Sequence, residues 1–178
     1  MVTQYDNIFV VGILIQGGCA PDVARIILDC FTLFLTGDNR QQLDPGNYPS
    51  PRQRVEFRGP NAPDQTTFLY TWKHFLDPSV GTTPRFFHLM QVFSTGDDGP
   101  IVTLDAVKDQ IVIRDYARSC VTTKCPSIPL SSFVGQVTFH TMTLTCGPVG
   151  NLIYTVKDGN GNTLISYTVS GAMGYGGT

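Results

Sequence analysis

Polar and apolar residues alternate along most of the chain from residue 54 onwards. A period of two is typical of β-strands with one buried face. Turn-rich segments rather than helical patterns separate the runs, which favours antiparallel sheets over a parallel sheet with crossover helices. The predicted strands are RVEFR (54–58), TTFLYTWKHFL (66–76), RFFHLMQVF (85–93), IVTLDA (101–106), QIVIRDY (110–116), GQVTFHTMTLTC (135–146), NLIYTVKD (151–158) and TLISYTVS (163–170).

Turn signals predict how some of these strands pair. The segment GNGN between residues 151–158 and 163–170 indicates a β-hairpin. A second hairpin is predicted around VKD, between 101–106 and 110–116. The regular spacing of short strands predicts an all-β, antiparallel sandwich of the jelly-roll type. The glycine-rich end, SGAMGYGGT, leads into no further strand, so we expect the domain to lack its last strand.

The N-terminal region has a different pattern. The run IFVVGILI (8–15) is either a degraded signal peptide or an internal strand. The segment 22–35 has apolar residues at helical spacing and predicts one helix, and the polar, Pro-rich segment 37–53 predicts a loop or linker. We therefore expect an atypical N-terminal segment and linker over 1–50 and a β domain over 51–178.

Charge and the length of the apolar runs limit the classes of partner that the chain is expected to bind. The chain of 178 residues has a net charge of −2 and only 15% charged residues, with no basic block. A near-neutral chain of this kind offers no electrostatic footprint for nucleic acid or an anionic membrane. No apolar run reaches the ~20 residues of a membrane-spanning helix. The sequence therefore predicts neither a nucleic-acid nor a membrane partner, and it leaves the oligomeric state open.

The five cysteines are an odd number. Cys120 and Cys125 bracket a short loop, and they are either a disulfide, as in a secreted β protein, or two free thiols. At least one of the remaining three thiols must be unpaired or intermolecular. Because no CxxC pair or Cys/His cluster accompanies them, we predict no metal site. The sequence also predicts no cofactor.

Three stretches together resemble a known group of proteins. RVEFR, FFHLMQV and the C-terminal hairpin are similar to fungal secreted proteins of the concanavalin-like β-jelly-roll group, which includes alginate, glucuronan and heparin-type polysaccharide lyases. The resemblance covers residues 51–178 and includes an Arg-x-Glu-Leu-Arg motif, matched by Arg54, Glu56, Phe57 and Arg58. It implies an extracellular protein that holds an acidic polysaccharide on a bent sheet and cleaves it by β-elimination.

The resemblance also implies a set of catalytic residues. The uronate carboxylate must be neutralised and a base must remove the C5 proton. Gln91, Arg54 and Arg58 are expected to engage the carboxylate. The family carries the base in a Gln-Ile-His motif, but Phe93 stands at the histidine position here. His74, on the preceding predicted strand, is therefore the provisional base.

Four further residues complete the predicted site. Trp72 and Tyr70 share the face of the provisional base, where they form either a sugar-stacking platform or an aromatic stripe in the inter-sheet core. Glu56 is expected to hold an arginine in place. Arg85 shares a face with Gln91 and is expected to contact the substrate.

A regular strand over 85–93 separates its two polar residues. Gln91 is then expected to face the substrate groove. His88 lies on the opposite face among apolar residues and is expected to be a core histidine. The sequence leaves three functions open: an active lyase, a non-catalytic glycan-binding or extracellular structural jelly roll, and an incomplete gene product.

Overall fold

The computed structural model describes residues 7–10, 13–35, 53–94 and 99–174. Most of these residues form β-strands, which confirms the predicted all-β class. The chain divides into two compact units, Met1–Pro60 and Asn61–Thr178. The strand Val55–Arg58, which the sequence analysis assigned to the β domain, belongs to the first unit. The predicted linker over 37–53 lies outside the described residues, apart from Gln53.

The described part of the first unit contains two small antiparallel sheets. The four strands are β1 (Asn7–Val10), β2 (Ile13–Gln16), β3 (Phe31–Phe34) and β4 (Val55–Arg58). In one sheet β1 pairs with β4, and in the other β2 pairs with β3. The run IFVVGILI therefore contributes to two strands.

The helix predicted over 22–35 is wrong for most of its length. Helix α1 (Pro21–Ala24) is a single turn, and β3 occupies the end of the predicted helix. A disulfide joins Cys19 to Cys30, which ties the chain back on itself just before β3. The following FTLF has aromatic and β-branched residues that favour a strand paired with β2.

The second unit contains two four-stranded antiparallel sheets. The strands are β5 (Thr67–Phe75), β6 (His88–Phe93), β7 (Pro100–Val107), β8 (Gln110–Asp115), β9 (Ser127–Pro129), β10 (Val137–Thr145), β11 (Gly147–Lys157) and β12 (Thr163–Met173), with a one-turn helix α2 (Cys120–Thr123) and a 3₁₀ turn (Leu130–Ser132) before β10. The strand orders of the two sheets are β12-β11-β10-β5, called the long-strand sheet, and β6-β7-β8-β9, called the bulged sheet.

Both predicted hairpins are confirmed. Strand β7 turns directly into β8, with Val107 opposite Gln110, and β11 pairs with β12. In the second turn, the Asp158 carboxylate accepts hydrogen bonds from the backbone N–H groups of Asn160 and Asn162, both at 2.9 Å. Asp and Asn stabilise turns in this way, which is why the GNGN signal was reliable.

The two sheets of the second unit enclose one hydrophobic core. Strand alternation turns Val102 and Leu104 of β7, and Leu152 and Val156 of β11, into this core, and all four are 0% exposed. Burying one such side chain contributes about 1.5–3 kcal/mol. The unit is therefore a β-sandwich, and each sheet has a second face that points away from the core.

The cysteines follow the sequence expectation in part. Cys120 and Cys125 form the predicted disulfide. Cys146 is a buried free thiol, which accounts for the odd count, whereas the Cys19–Cys30 pairing was not foreseen. Within the described ranges, no helix is long and apolar enough to cross a membrane.

Candidate functional site

Strand β6 carries one extra residue relative to β7. His88 lies opposite Asp105 and Met90 lies opposite Leu104, so the intervening Leu89 has no opposite residue. This is a β-bulge, which shifts the in-and-out alternation of the residues that follow. Leu89 and Met90 accordingly both pack against the core of the sandwich.

The bulge overturns the expectation that His88 and Gln91 lie on opposite faces. Gln91 lies opposite Thr103, two residues before Asp105 on β7 and hence on the same face of the sheet. Because Leu104 between them points into the core, this face points away from it. His88 is therefore not a core histidine, and its side chain is 24% exposed.

His88, Gln91, Thr103, Asp105 and Arg114 form what we call the outer polar cluster. The His88 Nδ1 and Asp105 Oδ1 atoms are 2.5 Å apart, and Arg114 Nε is 3.4 Å from Asp105 Oδ2. An ionised carboxylate can only accept, so His88 donates its Nδ1–H to Asp105, and Nε2 lies on the side of the ring that is not bound to Asp105. The Phe86 ring stacks on the imidazole, with centroids 4.6 Å apart, and restricts its rotation.

Two buried polar atoms of the cluster are unsatisfied. Thr103 Oγ1 and Asp105 Oδ2 have no hydrogen-bond partner among the described residues. Arg114 approaches Asp105 Oδ2 as an ion pair without hydrogen-bond geometry. An unsatisfied buried polar group costs about 1–3 kcal/mol, so such groups call for a physical explanation.

An open cavity of about 610 Å³ adjoins the outer polar cluster. Arg114 belongs to both, and Val112, which lines the cavity, lies opposite Asp105 on β8. Lys108 and Asp109, in the turn between β7 and β8, add one charge of each sign to the lining. Other lining residues on the same face of the sheet are Val107, Gln110 and Ser127.

The provisional base lies in a different environment. His74 belongs to β5, in the other sheet of the sandwich, and alternation turns it inward. Burial lowers the pKa of His74 to about 4, so the imidazole is neutral at physiological pH. The structure therefore does not bring His74 together with Gln91, which lies on the outer face of the bulged sheet.

Trp72 and Tyr70 form the aromatic stripe of the inter-sheet core. Both pack against the hydrophobic core. The Trp72 ring stacks on His140, with centroids 4.7 Å apart, and on Tyr154, at 5.9 Å. Of the two alternatives for this stripe, the structure has the packed core rather than an open sugar platform.

We call His74, Thr138, His140 and Tyr154 the interior histidine cluster. The Thr138 hydroxyl donates to the His74 carbonyl oxygen at 3.1 Å and lies 2.9 Å from His140 Nε2, which donates to it. His140 Nδ1 accepts from the Tyr154 hydroxyl at 2.7 Å. Burial, reinforced by His74, lowers the pKa of His140 to about 3, and burial raises the pKa of Tyr154 well above its ordinary value.

The predicted arginines are distributed between the two units. Arg54, Glu56 and Arg58 lie in the first unit, and Arg54 Nη1 contacts Glu56 Oε1 at 3.5 Å, so Glu56 does pair with an arginine. Arg85 lies in the second unit. It is exposed and sits in the bend before β6 rather than on the strand.

Sequence reasoning missed Asp105 and Arg114. A signal was present for the first, because IVTLDA places a carboxylate in an otherwise apolar strand, where a charge requires a partner. The described residues contain no group of three or more His, Cys, Asp or Glu side chains placed to hold a metal ion.

The fold and the site define a class of protein, an all-β sandwich with a His–Asp pair and an arginine on the outer face of one sheet. No protein-family model, curated protein or solved structure matches the chain.

Proposed function

We propose that the protein is a secreted, carbohydrate-directed jelly-roll protein of the polysaccharide lyase type. It binds uronate-containing glycans at the outer polar cluster and cleaves them by β-elimination. The observation that carries the proposal is the bulge at Leu89, which places His88 and Gln91 on one face beside Arg114. In the family that the chain resembles, the motif has a histidine at the position where Phe93 stands here. The bulge brings His88 onto the same face as Gln91 in place of that histidine.

The first task of such a site is to neutralise the carboxylate. Arg114 has a 36% exposed side chain next to the open cavity, and its guanidinium can donate two parallel hydrogen bonds to a carboxylate. Gln91 contributes an amide donor from the same face of the sheet. It lies opposite Thr103 on β7, which in turn lies opposite Arg114 on β8. Charge neutralisation makes the C5 proton acidic.

The second task is proton removal. Asp105 holds the Nδ1–H of His88, so the Nε2 lone pair is the base. His88 takes the C5 proton, the electron pair of that C–H bond forms the C4–C5 double bond, the C4–O bond breaks, and the leaving oxygen takes a proton from water. Asp105 is a positioning residue, since it fixes the tautomer and stabilises the imidazolium that forms.

A second candidate is glycan binding without turnover on the same face. Phe93, two residues after Gln91, is 46% exposed and offers an apolar platform on which a sugar ring can stack. An exposed phenylalanine beside polar residues is typical of carbohydrate-binding surfaces as much as of active sites.

Secretion is part of the same proposal. Two disulfides form among the described residues, Cys19–Cys30 and Cys120–Cys125. Disulfides persist in oxidising compartments and are rare in the cytosol, which supports an extracellular location.

The test is incubation of the protein with alginate, glucuronan and heparin while the ultraviolet absorbance of an unsaturated uronate is followed. The proposal expects an increase with at least one glycan. His88→Gln is expected to abolish the increase while retaining binding, and Arg114→Ala to weaken binding about tenfold or more. Lys157→Ala is the matched control, because Lys157 is exposed on the long-strand sheet.

The outcomes separate the candidates. Binding that depends on Arg114 but gives no absorbance change supports the non-catalytic candidate and rejects the lyase. Absence of binding to all three glycans rejects both.

A further inference from the structure

We infer that the outer polar cluster selects glycans whose ring hydroxyls are free and excludes sulfated ones, with Thr103 and Asp105 as the specificity-determining residues. This inference rests on the proposed function and narrows its substrate class to unsulfated polyuronates. It goes further because it assigns a ligand contact to two atoms that the β-elimination chemistry does not use.

Two unsatisfied atoms carry the inference. Thr103 Oγ1 and Asp105 Oδ2 have no hydrogen-bond partner in the described part of the chain, and both residues are 0% exposed. They lie two residues apart on the central strand β7 and so share one face. A hydroxyl and a carboxylate oxygen on one face of the strand match a sugar hydroxyl, which donates to the carboxylate and accepts from the threonine.

Arg114 links the two atoms to carboxylate binding. Its Nε lies 3.4 Å from Asp105 Oδ2, and no hydrogen bond is made. We expect the guanidinium to turn away from this oxygen when it binds a uronate carboxylate, and thereby to uncover Thr103, which lies opposite Arg114. A neighbouring ring hydroxyl then donates to Asp105 Oδ2.

A sulfate ester fails at Asp105 Oδ2. It has no proton to donate to Asp105 Oδ2, and it brings a negative charge next to a buried carboxylate. Sites built to bond a hydroxyl reject analogues that lack it, because the buried polar groups stay unpaired, and a like charge adds repulsion. Greater total charge on the glycan therefore does not increase affinity at this site.

A substitution of Thr103 distinguishes a ligand contact from a purely structural role of this residue. Thr103→Val keeps the shape and removes a hydroxyl that is unpartnered within the described residues. We expect this variant to raise the melting temperature of the free protein, because an unsatisfied buried group is removed. The same change is expected to weaken polyuronate binding about tenfold, whereas Thr103→Ser retains binding.

The experiment measures calorimetric affinity for oligoglucuronate, oligoalginate and heparin oligosaccharides of equal length, in the full chain carrying His88→Gln so that no glycan is cleaved. The inference expects at least one polyuronate to bind about tenfold or more tightly than heparin, with the Thr103→Val loss confined to the polyuronate. Equal affinity for heparin, or no effect of Thr103→Val, overturns the inference and leaves the proposed function standing. Failure of every glycan to bind overturns both.

Discussion

The second unit places histidines in two contrasting polar clusters. In the interior histidine cluster, His140 lies between the sheets and bonds to the hydroxyls of Thr138 and Tyr154. In the outer polar cluster, His88 bonds to the carboxylate of Asp105 and keeps its side chain 24% exposed. Both imidazoles are oriented by their neighbours, but only His88 has a charged partner and access to solvent.

The difference shows which histidine is suited to chemistry. A base must reach its substrate and must be stabilised once it is protonated. His140 meets neither condition, because its nitrogens are both used by hydroxyls and burial, together with nearby His74, favours its neutral form. His88 meets both. The interior histidine cluster is therefore expected to serve stability, and the outer one to serve function.

Among the substitutions, the largest effect is expected from Tyr154→Ala in the interior histidine cluster. Tyr154 is 0% exposed, stacks near Trp72 and donates to His140. Its removal creates a cavity and strands an acceptor, at a cost of about 4 kcal/mol in the free energy of unfolding. Urea denaturation measures this cost. The control is Ile153→Ala on the opposite face, where the side chain is 46% exposed; equal losses in both variants would contradict the role assigned to Tyr154.

Deletion of Leu89 tests whether the β-bulge assembles the outer polar cluster. Without the extra residue, continuous alternation turns either His88 or the segment from Gln91 onwards to the wrong face. Together with the lost burial of Leu89, we expect a cost of about 3 kcal/mol in stability and loss of glycan binding. Leu89→Ala keeps the bulge and is expected to retain binding. A deletion variant that still binds would show that the bulge is not what assembles the site.

Acidification tests the interior histidine cluster. Burial lowers the pKa of His74 from 6.5 to about 4, and that of His140 to about 3. Below pH 6.5 the unfolded chain binds protons that the folded chain does not, so stability is present above this pH and falls as the pH decreases towards 4. The expected loss is about 1.4 kcal/mol per pH unit for each histidine.

Urea denaturation between pH 7 and pH 4 measures this slope. His74→Leu is the matched variant, because the Nδ1 of His74 has no hydrogen-bond partner in the described ranges. It is expected to be tolerated at pH 7 and to flatten the pH dependence by at least the contribution of one histidine, because His74 also lowers the pKa of His140. An unchanged slope would show that His74 does not contribute.

Much of the fold was predictable from the sequence, and the site was not. The hairpin after Asp158 and the β7–β8 hairpin follow from alternation and turn residues, which are local signals. The bulge at Leu89 leaves no such signal, because the apolar run around it reads equally well with or without an extra residue. Its position depends on which side chains fit the core, and that is a tertiary property.

The smallest effects are expected from two conservative changes that remove one interaction from each cluster. Tyr154→Phe removes the hydroxyl that donates to His140 Nδ1. No water reaches the stranded nitrogen, because both residues are almost fully buried, so we expect a loss of about 2 kcal/mol. Asp105→Asn keeps an acceptor for His88, but it removes the charge and replaces the Oδ2 acceptor that faces Arg114 by an amide N–H donor. The expected cost is about 1 kcal/mol, because the partly exposed His88 and Arg114 side chains regain water contacts. Thermal and urea unfolding of the two variants give the ranking directly. A greater loss for Asp105→Asn would mean that the outer polar cluster holds the sandwich together, and its unsatisfied atoms would then have to be explained by folding rather than by a ligand.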